Sequence, residues 1–333
     1  MKYFKDKPAL ALFFIAPIFG ELLSGSLPLN EFINPIAIIT SAMLYGSGAI
    51  IARELNIRWE KGWLSLLLLG FAYGIFEEGI MVRSFFDPNW MDLGALGTYG
   101  RVDGLNVVWS YHLTIYHATV SILASIAFAE MLYPKQRKER WITTKKWWRT
   151  IWILLLLTLP LGKMLTPYDA PDNWILFSWI SILTLMGIAR IAPDLRLPPS
   201  KKPLPHPRRF FLLAFLGTLF HHIFIYTGAE NNTYPYETAI QWTMLTDFII
   251  LWLALRWSKN FTVWQDTHRY ALFSGVLVFF LALSPLTIGA IYPILYITSP
   301  IFLFSLWLMY KKIKNRTLPE EQITEALITN EHP

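Results

Sequence analysis

The chain has no cysteine among its 333 residues. It therefore cannot form a disulfide, supply a thiolate ligand or use a thiol nucleophile, and any metal site must be built from histidine and carboxylate side chains. The compact H-E-x-x-H zinc motif is also missing. No strand pattern precedes the glycines Gly94, Gly97, Gly100 and Gly104, which excludes a nucleotide-binding fingerprint.

Charge is scarce as well, since charged residues make up 16% of the chain, against 54% hydrophobic and 16% aromatic residues. This balance suits a bilayer rather than a soluble core. Apolar stretches of roughly 20 residues recur along the chain, each long enough to cross a hydrocarbon core of about 30 Å. The sequence predicts an all-α fold, a polytopic transmembrane helix bundle of about ten spans. The spans are 8–26, 33–52, 62–83, 105–132, 149–167, 174–192, 210–228, 237–256, 269–287 and 290–310.

Basic residues collect in alternate turns. If the N-terminus lies inside, then the N-terminal segment, the turns 53–61, 134–149, 190–209 and 256–269, and the tail after Tyr310 hold 26 of the 29 Lys and Arg residues. By the positive-inside rule, we expect a multi-pass protein of the cell membrane with both termini in the cytoplasm. Attraction to anionic headgroups then explains the net charge of +6, and we expect no nucleic-acid partner. We divide the chain into a transmembrane helical domain, 1–316, and a short cytoplasmic tail, 317–333.

Several ionisable side chains fall within the predicted spans, where they are costly unless they face a partner or a cavity. Counted along the helices, they share one layer between the midplane and the outer surface, with His112 level with Glu77 and Glu78 and with His117 deeper. The inner half has almost none. The sequence therefore predicts a polar cavity that is open to the outside of the membrane. The residues of this layer are Glu21, Glu77, Glu78, His112, His117, His221, His222 and Asp247.

Helical spacing limits how the adjacent carboxylates can act. Glu77 and Glu78 point about 100° apart on an α-helix. We therefore expect one of them to face the centre of the site and the other to pair with Arg83 or to lie at the membrane interface.

The histidines come in pairs with the same restriction. His112 and His117 lie about 140° apart around their helix, so we expect one functional group and one structural hydrogen-bonding group. The same expectation holds for His221 and His222. Asp247 is expected either to belong to the site or only to bond a hydroxyl group, such as that of Thr246 or of a tyrosine of another span.

Two further features concern packing. Gly70 and Gly74 form a small-xxx-small pair, which predicts a close approach of two helices. The loop from Ser84 to Gly104 is long for a bundle connection, and it either covers a cavity mouth or caps the bundle.

The Glu-Glu pair followed by Arg83, with histidines on later helices, resembles the CAAX-protease and bacteriocin-processing family of membrane proteases. Members of that family carry E-E-x-x-x-R, F-x-x-x-H and H-x-x-x-N. The present sequence has four residues between Glu78 and Arg83, leucine or valine at the phenylalanine position, and isoleucine or tyrosine at the asparagine position. The resemblance implies that a glutamate and a histidine activate water to attack a peptide bond.

Two functions follow most directly from these residues. The first is a membrane-embedded hydrolase in which Glu77 or Glu78 is the general base, while His112 and His221 or His222 orient the water and hold the oxyanion. Membrane peptides or lipid-linked molecules would be its substrates. The alternative is a proton-coupled transporter or permease, because intramembrane Glu, His and Asp also suit a proton relay. The near absence of ionisable residues from the predicted inner half of the bundle argues against a proton path through the membrane.

The cofactor is left open. Two histidines and a glutamate can hold a divalent metal such as zinc, and the candidate ligands are His112, His117, His221 and His222. A further alternative is a structural or haem-binding membrane protein, with haem held between histidines of the fourth and seventh spans.

Overall fold

A computed structural model of the chain describes residues 7–193, 197–198 and 203–316. Within these residues the fold is a bundle of ten long helices. They are α1 (Pro8–Leu22), α2 (Pro35–Arg58), α3 (Trp63–Met81), α4 (Val107–Leu132), α5 (Lys145–Leu165), α6 (Asp172–Ile191), α7 (Pro207–Asn231), α8 (Tyr236–Trp257), α9 (Asp266–Thr287) and α10 (Leu295–Lys314). The longest connection, between α3 and α4, contains one two-residue antiparallel pair, Arg101–Val102 with Leu105–Asn106.

Each long helix overlaps one predicted span, and eight of them are long and apolar enough to cross a membrane. The two others are α1, which has fewer than 18 residues, and α10, which ends in three lysines. The helical membrane bundle is therefore confirmed, while the count of ten crossings and the cytoplasmic position of the termini stay predictions. The predicted tail, 317–333, and the first six residues lie outside the described residues.

Local capping explains where several helices begin. The Asn34 side chain accepts a hydrogen bond from the Ile36 amide, and a proline opens the helix α2 behind it. The Asn106 side chain caps α4 by accepting from the Trp109 amide at 2.9 Å. Each side chain satisfies an amide that has no partner within its own helix, which fixes the first turn.

The turns of the bundle gather at two ends. At the first, Arg53 of α2 donates to the carbonyl of Arg137 at 2.7 Å, and Arg137 contacts Asp266 at 2.5 Å, so that α2, the turn after α4 and the start of α9 meet. We call this the basic end. The connection 82–106 lies at the other end, which we call the loop end.

Close helix contact at the predicted glycine pair is confirmed. A Cβ atom on Gly70 would lie 2.9 Å from Cα of Ala118, and one on Gly74 would lie 3.2 Å from Cα of Thr114. Both neighbours belong to α4. The absent side chains therefore let α3 and α4 approach at the depth where their polar residues lie.

The first four helices share an unusual feature: each contains a π-helical segment. The segments are Ile18–Leu22, Ala42–Gly46, Phe76–Met81 and His117–Ala124. Such segments are rare and occur frequently at functional sites. Here Glu21, Tyr45, Glu77, Glu78 and His117 all lie within them.

Candidate functional site

The centre of the site is His117, held between two carboxylates. Its Nε2 atom lies 2.8 Å from Oε1 of Glu78, and its Nδ1 atom lies 3.0 Å from Oε2 of Glu77. All three side chains are buried. The two ring nitrogens of an imidazole flank one carbon and point in different directions, so the two glutamates that diverge on α3 can reach the same ring. The expectation that only one of them faces the centre is therefore not met.

Arg83 does not take part in this pairing. Its Nη2 atom donates to the carbonyl oxygens of Gly162 and Thr166 on α5, at 3.0 and 2.6 Å. The expected Glu–Arg83 pair is thus replaced by a link between the end of α3 and the end of α5.

Further polar groups surround this centre. Tyr45 donates to Oε1 of Glu21 at 2.9 Å, and its ring lies 6.1 Å from that of His117. Oγ of Ser121 lies 3.0 Å from Nδ1 of His117. We call Glu21, Glu77, Glu78 and His117 the acidic cluster. Ionising all its carboxyl groups would leave net negative charge in a buried place, so the cluster calls for bound protons or a cation.

Glu78 also leads towards the loop end. Its Oε2 atom accepts a hydrogen bond from Oγ of Ser84, and Ser84 in turn accepts from Nε1 of Trp109 at 3.0 Å. The Trp109 ring lies 5.9 Å from that of His112. A series of side-chain contacts through Ser84 and Trp109 therefore connects the acidic cluster with His112, which belongs to a second polar group.

That second group is a hydrogen-bonded row of three side chains from α4, α7 and α8. Nδ1 of His221 lies 3.0 and 3.1 Å from the two carboxylate oxygens of Asp247, and Nε2 of His221 lies 2.9 Å from Nδ1 of His112. Tyr111 donates to Asp247 at 2.7 Å, as expected of a tyrosine from another span. We call Asp247, His221 and His112 the histidine row.

The bonds of the histidine row assign its protons. Because Nδ1 of His221 faces a carboxylate, it carries hydrogen, and its Nε2 atom is an acceptor. His112 therefore donates through Nδ1, which leaves a lone pair on its Nε2 atom. A buried row of this kind can accept a proton at His112 and stabilise the resulting charge through Asp247, the arrangement found in general-base catalysis.

A cavity of about 690 Å³ begins at this row and extends to the basic end. His112, His221, His222 and Asp247 line its first part, and apolar side chains of α3, α4, α8 and α9 line its length. Its lining does not include Glu77, Glu78 or His117. The histidine row is therefore in contact with the cavity, whereas the described walls separate the acidic cluster from it.

The loop end is closed over the site. Phe86 and Leu96 of the connection are buried, Asn106 donates to the carbonyl of Leu96 at 2.6 Å, and Tyr99 donates to the carbonyl of Tyr234 at 2.9 Å. These contacts pack the loop onto the end of the bundle, which is the capping role considered for it. The described cavity extends the opposite way, towards the basic end, and a polar cavity open at the loop end stays a prediction.

The half of the bundle nearer the basic end contains buried ionisable side chains. The expectation that this half has almost none is therefore not met. Helix α2 continues to Arg58, so Arg53 and Glu54 lie within it, and both are buried. Arg53 contacts Glu54 at 3.1 Å and Glu130 of α4 at 3.3 Å. These charges had been assigned to a turn because the apolar run stops at residue 52, but the helix continues where the charged side chains find partners.

The histidine that lies level with the glutamates also differs from the prediction. Residue counting placed His112 level with the glutamates and His117 deeper, yet His117 contacts Glu77 and Glu78, and His112 lies nearer the loop end. Counting assumed that α3 and α4 end in one plane. In the structure α4 has 26 residues and α3 has 19, so α4 extends beyond the end of α3.

The candidate metal ligands divide into two groups for the same reason. Among the described residues, Glu77, Glu78 and His117 are the one set of three whose ligand atoms lie within 4.8 Å of one another. His112, His221 and His222 have neighbouring rings, with centroids 5.0 to 5.5 Å apart, but their nitrogens do not converge in this way. The direct His112–His221 bond also leaves no space for haem between these two rings.

Sequence reasoning did not identify Tyr45, Ser84, Trp109 or Ser121 as part of the site. Tyrosine and tryptophan are common near membrane interfaces, and serine is common where helices pack, so neither residue type signals a site. The available signal was position, since Ser84 and Trp109 lie at the two borders of the predicted long loop.

Comparison with known proteins assigns the chain to a family. The model of an uncharacterized membrane protein family matches residues 10–283, and the chain belongs to that family. The match includes α2 to α8 and every residue of the acidic cluster and the histidine row. No curated protein and no solved structure matches the chain.

Proposed function

We propose that this protein is a membrane-embedded hydrolase and that the histidine row activates the attacking water. The observation that carries the proposal is the hydrogen-bonded series Asp247–His221–His112 at the wall of a 690 Å³ cavity. Cavities of this size accommodate small organic ligands or single chains. An apolar wall suits membrane peptides or lipid-linked molecules as substrates.

In the proposed reaction, His112 removes a proton from water while the oxygen of that water attacks a carbonyl or phosphoryl centre. The His112 imidazolium is stabilised through His221 by the Asp247 carboxylate. The proton then passes from His112 to the leaving group, so the row returns to its first state. This assignment moves the general base from Glu77 or Glu78 to His112, because neither glutamate lines the cavity.

The acidic cluster has a positioning role in this proposal. Glu78 accepts a hydrogen bond from Ser84, and Ser84 accepts one from the indole of Trp109. The Trp109 ring packs beside His112, so these bonds position that histidine. The resemblance to the CAAX-protease family belongs to the same proposal. The spacing between the Glu-Glu pair and Arg83 is one residue longer than in that family's motif. The π segment Phe76–Met81 accommodates one extra residue in a helical turn, so it can account for this difference.

Incorporation of water-derived oxygen tests the proposal without a known substrate. The purified full chain in lipid nanodiscs is incubated in H₂¹⁸O with lipid and peptide extracts of its host membrane, and products are screened by mass spectrometry. The expected result is a labelled product that forms with the native chain and with His206→Ala, an exposed histidine outside the cavity. Loss of that label is expected with His112→Ala and with Asp247→Asn. Equal labelling by all four proteins would refute the proposed role of the row.

A proton-coupled transporter is the second candidate, and the inner half of the bundle favours it. The buried hydroxyls of Ser121 and Ser125 follow His117 along α4 towards Glu130 and Arg53. Polar groups therefore occur in both halves, as a proton path requires. Proton uptake by proteoliposomes that Ser121→Ala and Ser125→Ala reduce, with no labelled product in the assay above, would favour this candidate over the hydrolase.

A further inference from the structure

The basic end of the cavity has a different chemistry from the histidine row. Arg137, Lys138 and Arg269 line it there, together with Trp264 and Asn260. Among the described residues, the carboxylates nearest this end are shared between several cations: Glu130 accepts from Arg53 and lies 3.8 Å from Arg269, and Asp266 accepts from Arg137 and Arg316. This part of the cavity therefore has an excess of positive charge.

Several hydrogen-bond donors at this end have no partner within the residues that the structure describes. Nε of Arg137, Nε of Arg269, Nε1 of Trp264 and Nε2 of Gln265 are buried atoms without an acceptor in the described part of the chain. All four are donors. Buried donors without acceptors are destabilising, and a cluster of them beside cations that outnumber the neighbouring carboxylates indicates that an anionic acceptor binds there.

The rest of the cavity is an apolar channel along one face of α4. Its lining residues on that helix are Tyr111, His112, Ile115, Tyr116, Thr119, Val120, Leu123, Ile126, Ala127 and Glu130. These positions recur at the three- and four-residue spacing of a single helix face. At 1.5 Å per residue, they cover about 29 Å of α4, which is similar to the thickness of a hydrocarbon core.

We propose that this cavity binds an anionic amphiphile, a molecule with a phosphate-like headgroup and one long hydrocarbon chain. The headgroup accepts hydrogen bonds from Arg137, Arg269 and Trp264 at the basic end. The chain extends along the apolar face of α4 towards the histidine row. This binding site goes beyond the proposed hydrolase, because its headgroup contacts lie at the far end of the cavity from His112.

Binding of simple synthetic probes to the purified full chain in a neutral detergent tests the proposal. The probes are hexadecyl phosphate, hexadecanol, hexadecyltrimethylammonium and inorganic phosphate, and the affinity is measured by isothermal titration calorimetry. Hexadecyl phosphate is expected to bind tightest. Binding of inorganic phosphate with equal affinity would overturn the amphiphile in favour of a free anion. Equal affinity for the alcohol or the ammonium probe would overturn the charged headgroup site.

Substitutions separate this site from general attraction to the basic end. Arg269→Gln is expected to weaken hexadecyl phosphate binding roughly tenfold, the effect of losing one charge-assisted hydrogen bond. Lys138→Gln, at an exposed lining position, provides a second test if Arg269→Gln folds poorly. The matched control is Arg208→Gln, an exposed arginine of α7 that does not line the cavity. A similar loss in the control would overturn the assignment.

A separate substitution tests whether the hydrocarbon chain occupies the apolar channel. Leu123→Trp narrows the channel at mid-length, so it is expected to weaken hexadecyl phosphate more than inorganic phosphate. Unchanged affinity for hexadecyl phosphate would place the chain elsewhere. In a His112→Ala background, ¹⁸O labelling is expected to be lost while Arg269→Gln still weakens hexadecyl phosphate binding, so failure of the hydrolase and failure of the lipid site give different results.

Discussion

Removal of His117 is expected to be among the most destabilising substitutions in this bundle. The ring lies 2.8 Å from one buried carboxylate and 3.0 Å from another. Breaking a buried ion pair costs about 3–5 kcal/mol, because the remaining charge has neither a partner nor water. We choose His117→Phe because phenylalanine keeps an aromatic ring of similar size. The measured loss of stability then reports the lost polar contacts rather than a cavity.

The matched control is His222→Phe. His222 is also largely enclosed, but its Nδ1 atom bonds a backbone carbonyl, that of Thr218, at 2.8 Å. Loss of this one hydrogen bond should cost about 0.5–1.5 kcal/mol. The measurement is the free energy of unfolding by SDS titration in mixed micelles, for both variants and the native chain.

A mutant cycle then separates charge from packing. If the cost of His117→Phe comes from uncompensated carboxylates, neutralising them with Glu77→Gln and Glu78→Gln in the same chain should recover at least about 2 kcal/mol of it. If the costs of the three substitutions simply add, within about 0.5 kcal/mol, the glutamates are not charged partners of His117 and the reasoning is refuted.

Three further predictions concern metal, packing and topology. Any divalent ion that copurifies at one per chain should be lost from Glu78→Gln and kept by His222→Ala, as measured by elemental analysis. Among the described residues, the ligand atoms converge only at the acidic cluster. Loss of the ion from His222→Ala but not from Glu78→Gln would contradict this. Gly46→Ala should destabilise by about 1–3 kcal/mol, since its Cβ would lie 2.3 Å from the carbonyl oxygen of Phe13, whereas Gly187→Ala, with no atom within 4 Å, should be neutral or slightly stabilising. Reporters fused after residues 140 and 232 should read cytoplasmic and external, respectively, and matching readouts would contradict the predicted topology.

The sequence was sufficient to predict the helices because a bilayer imposes a simple rule on them. Apolar runs of about 20 residues separated by charged turns specify where a chain crosses. The third span was predicted at 62–83 and observed as Trp63–Met81, and the fourth at 105–132 and observed as Val107–Leu132. The second span was predicted to end at residue 52, six residues before α2 ends, because Arg53 and Glu54 were counted as solvated.

The candidate site was predictable in composition but not in its contacts. Buried charge is costly, so Glu77, Glu78, His112 and His221 could be selected as functional candidates from sequence alone. Which of them meet depends on the relative shift of α3 and α4 along their axes, and no single-helix pattern contains that shift. The bond between His112 and His221 joins residues that are 109 positions apart.

The π segments have a consequence for how such a site can arise and be lost. A π turn closes its hydrogen bond one residue later than an α turn does, so it equals an α-helix with one inserted residue. Deleting one residue within Phe76–Met81 or His117–Ala124 would restore an even helix and rotate everything beyond it by about 100°. The packed halves of each helix could survive such a deletion, but the carboxylates and the imidazole would no longer face each other. The acidic cluster therefore depends on irregularities that a regular bundle would not contain.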